Sequence, residues 1–309
     1  MKILEMTAVS RTYVLRNGEK VEAVKPADVK IGKGEIVALV GESGSGKSTL
    51  AKLALALEKP DEGAVMLCGE NIGNMTRSEF RRKRLAIQPV FQDPTAAFNP
   101  RRSIGSVLEE AIGCRIEATA DPEATAVDIL NKVGLSPGAS YLKRFPHELS
   151  GGQRQRLGIA RALAAMPKLI VADEPLSGAD VSIRGQILNL LLELRDELGL
   201  ALLFITHDIS IAEAFADRVI VMYRGTVVEE GPASDVLSRP SHPYTKLLQA
   251  AIPSVELSDR DLSRFVVEKP DIANCCFHHR CASATAGCLE AKPSLRKISE
   301  GRRSRCLNA

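Results

Sequence analysis

The chain has 309 residues, 45% of them apolar and 26% charged, which is enough apolar material for one large core or two smaller ones. Its net charge of +3 is too small to argue for nucleic acid or an anionic membrane surface, so the charge balance points to no nucleic acid partner. The N-terminal MKILEMTAVSRTY lacks an apolar core followed by a small-residue cleavage site, and nowhere do about 18 apolar residues run together, which predicts a cytoplasmic chain that does not itself span a membrane.

In chain order, the first strong signal is GEIVALVGESGSGKSTLAKLALALE. The apolar run Ile36 to Val40 reads as a strand, the Gly/Ser stretch as a loop, and the Ala, Leu and Lys that follow as a helix. Further strands are predicted at 64–68, 168–173, 201–206 and 218–223, with an amphipathic helix over 181–198. Apolar strands alternating with helices predict an α/β fold whose mostly parallel sheet is covered on both faces. Between about Asp93 and Arg144 the pattern turns helical, in IGSVLEEAIG and PEATAVDILNKVG, and predicts a helical subdomain inserted into that core. After SHPYTKLLQAAIPS the chain becomes polar and loses its period, as a linker does, before a cysteine-rich tail.

The segment Gly41 to Ser48, GESGSGKS, fits G-x-x-x-x-G-K-[ST] between a strand and a helix, the context this phosphate-binding motif requires. Its glycines let backbone N–H groups turn inward around phosphate oxygens, and the helix N-terminus adds a favourable partial charge. Lys47 is expected to reach the β- and γ-phosphates and the Ser48 hydroxyl to coordinate Mg²⁺. In KLIVADEP, four apolar residues deliver Asp173 and Glu174 to the carboxyl end of a buried strand, where α/β sheets meet their ligands. Asp173 is the candidate for Mg²⁺, and Glu174 for polarising the attacking water. LSGGQRQRLGIARAL (149–163) opens a second helix with a serine hydroxyl and glycine amides, a second phosphate-binding helix start. One chain needs one phosphate cradle, so the second places the nucleotide between two subunits.

These motifs, in this order from 41 to 207, resemble the ATP-binding subunits of ABC transporters over about residues 1–250. The resemblance implies an ABC ATPase core with an antiparallel β subdomain, ATP and Mg²⁺ as ligands, and ATP hydrolysis coupled to transport. By it, Gly41, Glu42, Ser43, Gly44, Ser45, Gly46, Lys47, Ser48 and Thr49 form the Walker A loop. Ser150, Gly151, Gly152 and Gln153 belong to the signature that closes over the partner's nucleotide, and Asp180 ends the D-loop. Asp173 ends Walker B, Glu174 is the catalytic base, and His207 is the switch histidine at the γ-phosphate. Gln92 is the Q-loop glutamine, reaching Mg²⁺ or water, in preference to Gln88, and Tyr13 stands where the family stacks an aromatic on adenine. The D-loop departs from the family's Ser-Ala-Leu-Asp by reading Ser-Gly-Ala-Asp over 177–180, and Pro89 in a strand implies an edge or a bulge.

VFQDPTAAFNPRRSIG, DVSIRGQILNLL and SRPSHPYTKLL further resemble the subgroup serving bacterial dipeptide, oligopeptide and nickel importers. That resemblance implies a second ATPase subunit, identical or homologous, two transmembrane permease subunits and a periplasmic or extracellular solute-binding protein. It implies a peripheral position on the cytoplasmic face of the membrane. Other readings are a soluble ABC ATPase on ribosomes or nucleic acid, an importer of another substrate, and a P-loop small-molecule kinase, which has no use for the second helix start. The expected organisation is an ATP-binding domain over 1–252, with its helical subdomain at about 93–165, and a linker and cysteine-rich extension over 253–309. In that extension Cys275, Cys281, Cys288 and Cys306 form C-x5-C-x6-C-x17-C, a spacing poor for structural zinc. The subgroup's similar ending ligates a four-iron four-sulfur cluster in some members, and matching Phe277 and Arg280 to it implies these four ligands rather than Cys276. Zinc on three cysteines, disulfides and free thiols stay open as alternatives.

Overall fold

The computed structural model describes residues 1–93, 97–115, 119–178, 180–251 and 274–309. Two long strands come first, β1 (Lys2–Val14) and β2 (Lys20–Gly32), followed by β3 (Ile36–Val40) and α1 (Lys47–Ala54). Next stand β4 (Glu62–Leu67), β5 (Glu70–Asn71), α2 (Arg77–Lys83) and β6 (Ile87–Val90). Then come α3 (Ile104–Gly113), α4 (Pro122–Lys132), α5 (Gly151–Ala164), β7 (Leu169–Asp173) and α6 (Val181–Leu198). The order continues through β8 (Ala201–Thr206), α7 (Ile209–Phe215), β9 (Arg218–Tyr223), β10 (Thr226–Pro232), α8 (Ala233–Ser238) and α9 (Pro243–Ala250). A short helix α10 (Gly287–Glu290) and a hairpin, β11 (Arg296–Ser299) and β12 (Arg302–Ser304), complete the described chain.

β2, β1, β4 and β5 form an antiparallel sheet in that order. The second sheet runs β11-β12-β10-β9-β3-β8-β7-β6 and is parallel from β9 to β6. Its central strands are apolar at nearly every position because both faces are covered, which is why periodicity alone shows no alternation. Along β7, Ile170 and Ala172 pack towards α3, α4, α5 and α6, while Leu169 and Val171 pack towards α1 and the antiparallel sheet. The predicted strands and the helices over 104–113, 122–132 and 181–198 stand where the patterns place them. Pro89 lies in β6, the edge strand, where one side of the ladder needs no donor. The basic run at 81–84 lies on and just beyond α2, which buries no residue.

The tail differs from a simple appendage. Its hairpin pairs β12 with β10 and extends the main sheet, with Glu229 opposite Ser304 and Glu230 opposite Arg303. Glu229 is fully buried and accepts from Arg302 Nη2 at 3.1 Å and from the backbone N–H groups of Ser241 and His242 at 2.9 Å each. A carboxylate desolvated to that extent needs such partners. The hairpin escapes sequence reading because RKIS and RRS are short, charged and without alternation. All seven cysteines are free thiols, so the disulfide alternative is not what the structure shows. The expected linker falls largely on residues 252–273, outside the described residues.

Candidate active site

The site begins where three neighbouring parallel strands end. In the order β3-β8-β7, Val40 stands beside Thr206 and Asp173 beside Ile205. Gly41, His207 and Glu174, each one residue further on, are thereby gathered at the carboxyl edge of the sheet. The loop after β3 approaches other backbone too closely for side chains. A Cβ on Gly41 would meet the Met222 carbonyl oxygen at 2.2 Å, and one on Gly46, at φ 103°, would meet that of Ala23 at 2.2 Å. Glycine at both positions is a steric requirement as well as a conformational one.

Lys47 opens α1 and is buried, donating from Nζ to the carbonyls of Gly41 at 2.8 Å and Glu42 at 2.9 Å. Burial holds its ammonium below the usual lysine range, opposed by the charges of Glu174, Asp173 and Glu42. Asp173 is held above the usual carboxylate range, first by burial and then by the neighbouring Glu174. The Ser48 hydroxyl bonded to it, with Lys47 and Lys52, pulls the other way. The Oγ of Ser45 is buried without a partner inside the loop. Glu174 takes a left-handed backbone at φ 45°, held by its N–H to the Ile205 carbonyl at 3.0 Å. Such a conformation costs a non-glycine residue about 1 kcal/mol or more and is characteristic of functional carboxylates held by their surroundings. His207 Nδ1 stands 3.3 Å from Glu174 Oε1.

Tyr13, Ser43, Gly44, Gly46, Lys47, Ser48, Thr49 and Glu174 line a cleft of about 590 Å³, and Glu174 also lines a smaller one of about 130 Å³ with His207. Tyr13 donates its hydroxyl to Glu58 at 2.7 Å, and Arg11 lies over its ring at 5.3 Å, which fixes the aromatic plane at the cleft wall. The other sequence-predicted residues are elsewhere. Ser150 caps α5 reciprocally with Gln153, accepting from its backbone N–H at 3.3 Å while the Gln153 side chain accepts from the Ser150 N–H at 3.0 Å. This helix start, with Gly151, Gly152, Gln92 and Asp180, lines a separate cleft of about 600 Å³. Gln92 donates to Ser177 Oγ at 3.2 Å, so the structure does not bring it to Ser48 and Asp173. Gln88 donates to the Arg84 carbonyl at 3.0 Å and belongs to the preceding turn. In the altered D-loop, Gly178 uses its freedom at φ 73°.

Two residues that sequence reasoning passed over hold Glu42. Tyr244 Oη accepts from the Glu42 N–H at 2.8 Å, and Arg280 Nη1 donates to both carboxylate oxygens at 3.0 Å. Tyr244 is set by His242, which N-caps α9 by accepting from the Tyr244 N–H at 3.0 Å. Burial pushes His242 down to about 4, so its ring stays neutral and able to accept. No nearby motif announces either contact, because the partners are more than 200 residues apart.

In the tail, the thiol of Cys281 is raised first by burial and also by Cys306, Cys275 and Cys288, while Cys275 is raised by burial and by Cys288 and Cys306. Cys276 stands apart: among cysteines only Cys275 acts on it, and its thiol is next to Thr226, Lys25 and Arg305. Among the described residues no group of three or more His, Cys, Asp or Glu is drawn together to hold a metal, which supports neither the iron-sulfur ligand set nor the zinc alternative. Also among the described residues, no helix is long and apolar enough to cross a membrane.

The sheet order and the phosphate loop at its carboxyl edge define a P-loop nucleotide-binding protein. Residues 24–177 match the family model for the ABC transporter, and residues 228–288 match that for the oligopeptide/dipeptide transporter C-terminal region. The chain is 39% identical over 311 residues to a putative peptide import ATP-binding protein of Brucella ovis, covering 99% of this chain and 97% of that one. It is likewise 39% identical over 317 residues to the dipeptide transport ATP-binding protein DppF of Haemophilus influenzae, covering 99% and 96%. Among solved structures, a dimeric post-hydrolysis state of the ATP-binding cassette MJ0796 bound to ADP and phosphate aligns at TM-score 0.66 and 32% identity, over 74% of this chain and 98% of that one. The chain belongs to the ABC transporter family as an ATP-binding subunit, and it binds and hydrolyses ATP.

Proposed function

We propose that this chain powers the import of dipeptides or oligopeptides, or of a related solute such as nickel, through an ABC transporter at the cytoplasmic face of a bacterial membrane. The observation that carries this reading is the match of residues 228–288 to the C-terminal region of oligopeptide and dipeptide transporters, and the names of the two relatives agree with it. Residues 1–252 then serve as the ATP-binding domain, with a helical subdomain at about 93–165. Residues 253–309 serve as the linker and cysteine-rich extension.

The geometry supports the following catalytic roles. Lys47 leaves the Gly41 and Glu42 carbonyls for the β- and γ-phosphates, whose charge compensates its burial better than two carbonyls do. The Ser48 hydroxyl and the Asp173 carboxylate are hard oxygen donors already in contact, and they would hold Mg²⁺. When bound, that ion would supply neutralisation of phosphate charge. Glu174 accepts the proton of the attacking water, and His207, held at its side, donates to the γ-phosphate. Tyr13 receives the adenine.

The separate cleft of Ser150, Gly151, Gly152 and Asp180 supports a composite site, in which the start of α5 caps the nucleotide of a second ATPase subunit. Gln92 reaches the γ-phosphate side only by releasing Ser177. It therefore couples site closure to the segment after it, where two permease subunits would dock. A solute-binding protein would deliver the cargo to those subunits. Purification with the permease subunits and reconstitution with the cognate binding protein test this reading. Peptide-loaded binding protein should raise ATP turnover severalfold, whereas turnover indifferent to peptide and nickel alike, or co-purification with ribosomes, would overturn it.

We read the tail thiols as ligands of a four-iron four-sulfur cluster on Cys275, Cys281, Cys288 and Cys306. What supports this reading is the resemblance of the tail to the subgroup's four-cysteine ending, four thiolates being the usual ligand set of such a cluster; among the described residues the thiols are not already drawn together to hold a metal. Anaerobically purified protein should be brown, with a broad band near ~400 nm and about four irons per chain. Colourless, iron-free protein would end this assignment.

A further inference from the structure

Glu42 is the first variable residue of the phosphate loop, and every hydrogen-bonding group it has is engaged. Its N–H goes to Tyr244, its carbonyl accepts from Lys47 Nζ and from the Ser45 N–H at 3.1 Å, and its carboxylate accepts from Arg280. Of these partners, Arg280 comes from the far end of the chain. It closes a single helical turn, His278–Arg280, which lies between Cys275 and Cys281. The adjoining Phe277 is 2% exposed and meets Tyr223 edge-on at 5.2 Å and Tyr244 at 5.5 Å. The Arg280 guanidinium lies over the Tyr223 ring at 6.0 Å and that of Phe277 at 5.9 Å. The arginine is thus fixed by buried aromatics before it reaches the loop, and little ordering entropy opposes the ion pair.

We infer that Arg280 is a positioning residue for ATP binding: the cysteine-bearing tail holds the phosphate loop in its nucleotide-receiving form through the Arg280–Glu42 ion pair. The carboxylate is held on Arg280, and Glu42 does not line the cleft that Lys47 and Ser48 line. Without either member of the pair, the loop loses the contact that fixes the Glu42 side chain to the tail. The pair is partly open to solvent, with side-chain exposures of 27% and 40%, so salt should weaken its effect. A filler of space would show no such dependence.

The inference rests on the assignment of Gly41 to Thr49 to the phosphates, which is tested separately by ATP hydrolysis in the unaltered chain and its loss in Lys47→Ala. Steady-state ATPase kinetics on the full-length protein decide the inference itself. Arg280→Ala should raise the KM for MgATP by about fivefold, the size expected of one partly exposed charge-assisted pair, and change kcat much less. Glu42→Gln should act in the same direction, the double variant should be no worse than the poorer single one, and Arg280→Lys should recover part of the loss. Raising the salt should narrow the gap between Arg280→Ala and the unaltered protein. An unchanged KM in Arg280→Ala, or single effects that multiply in the double variant, would overturn the inference. Should Arg280→Ala fail to fold, Glu42→Gln and Arg280→Lys decide, because both leave the aromatic packing in place: a raised KM in each supports the inference and unchanged values refute it.

Discussion

Replacement of Glu174 by glutamine should leave ATP binding intact and slow hydrolysis by at least about a hundredfold, the usual contribution of a positioned general base. The amide preserves the shape of the carboxylate and can still meet His207, which lies 3.3 Å away, so the left-handed turn at φ 45° and its bond to Ile205 need not change. What disappears is the acceptor for the proton of the attacking water. Single-turnover hydrolysis together with equilibrium nucleotide binding separates the two effects. Near-normal turnover would remove Glu174 from the role of base, and a parallel loss of binding would place the carboxylate in nucleotide affinity.

Lys47→Ala should have the second large effect, on binding. The ammonium is the one cation lying in the loop itself, and it is already desolvated and held by two carbonyls that cannot neutralise it. Its removal takes a charge-assisted contact from the phosphates, worth about 3 kcal/mol, or roughly a hundredfold in the dissociation constant of ATP. The fold should suffer far less, because the free protein loses a buried charge along with two modest hydrogen bonds. Nucleotide titration and thermal unfolding of the same sample check both halves. Unchanged ATP affinity would refute the role of Lys47, and collapse of the fold would show that the ammonium is structural.

The ATP site was legible because its parts are local. A phosphate cradle is built from consecutive backbone amides and one lysine, so GESGSGKS carries nearly the whole of it, and the strand-to-helix context is readable from the apolar runs on either side. The same holds for Ser150, whose reciprocal cap with Gln153 spans four residues, and for Asp173 and Glu174 at the end of a continuous apolar strand. Proline at position 89 implied an edge or a bulge, since a missing donor is a property of one residue, and β6 is the edge strand.

Other features were illegible for the opposite reason. That the start of α5 lies in a different cleft from the phosphate loop depends on how α3, α4 and α5 pack beside the sheet, and no spacing in the chain reports that packing. Gln92 carries a family-implied role, but its present partner, Ser177, is 85 residues away and could be found only in space.

The sequence by itself determined which lysine, carboxylates and histidine are the candidates for the nucleotide at the carboxyl edge of the sheet, because those groups sit in short motifs with a fixed local geometry. Only the tertiary structure decided where the tail sits relative to those groups. It placed the β11–β12 hairpin at the end of the main sheet and set Arg280 on Glu42 across 238 residues. Ion pairs and sheet edges of that separation leave no period or spacing in the sequence, since they are selected by the packing of everything between them.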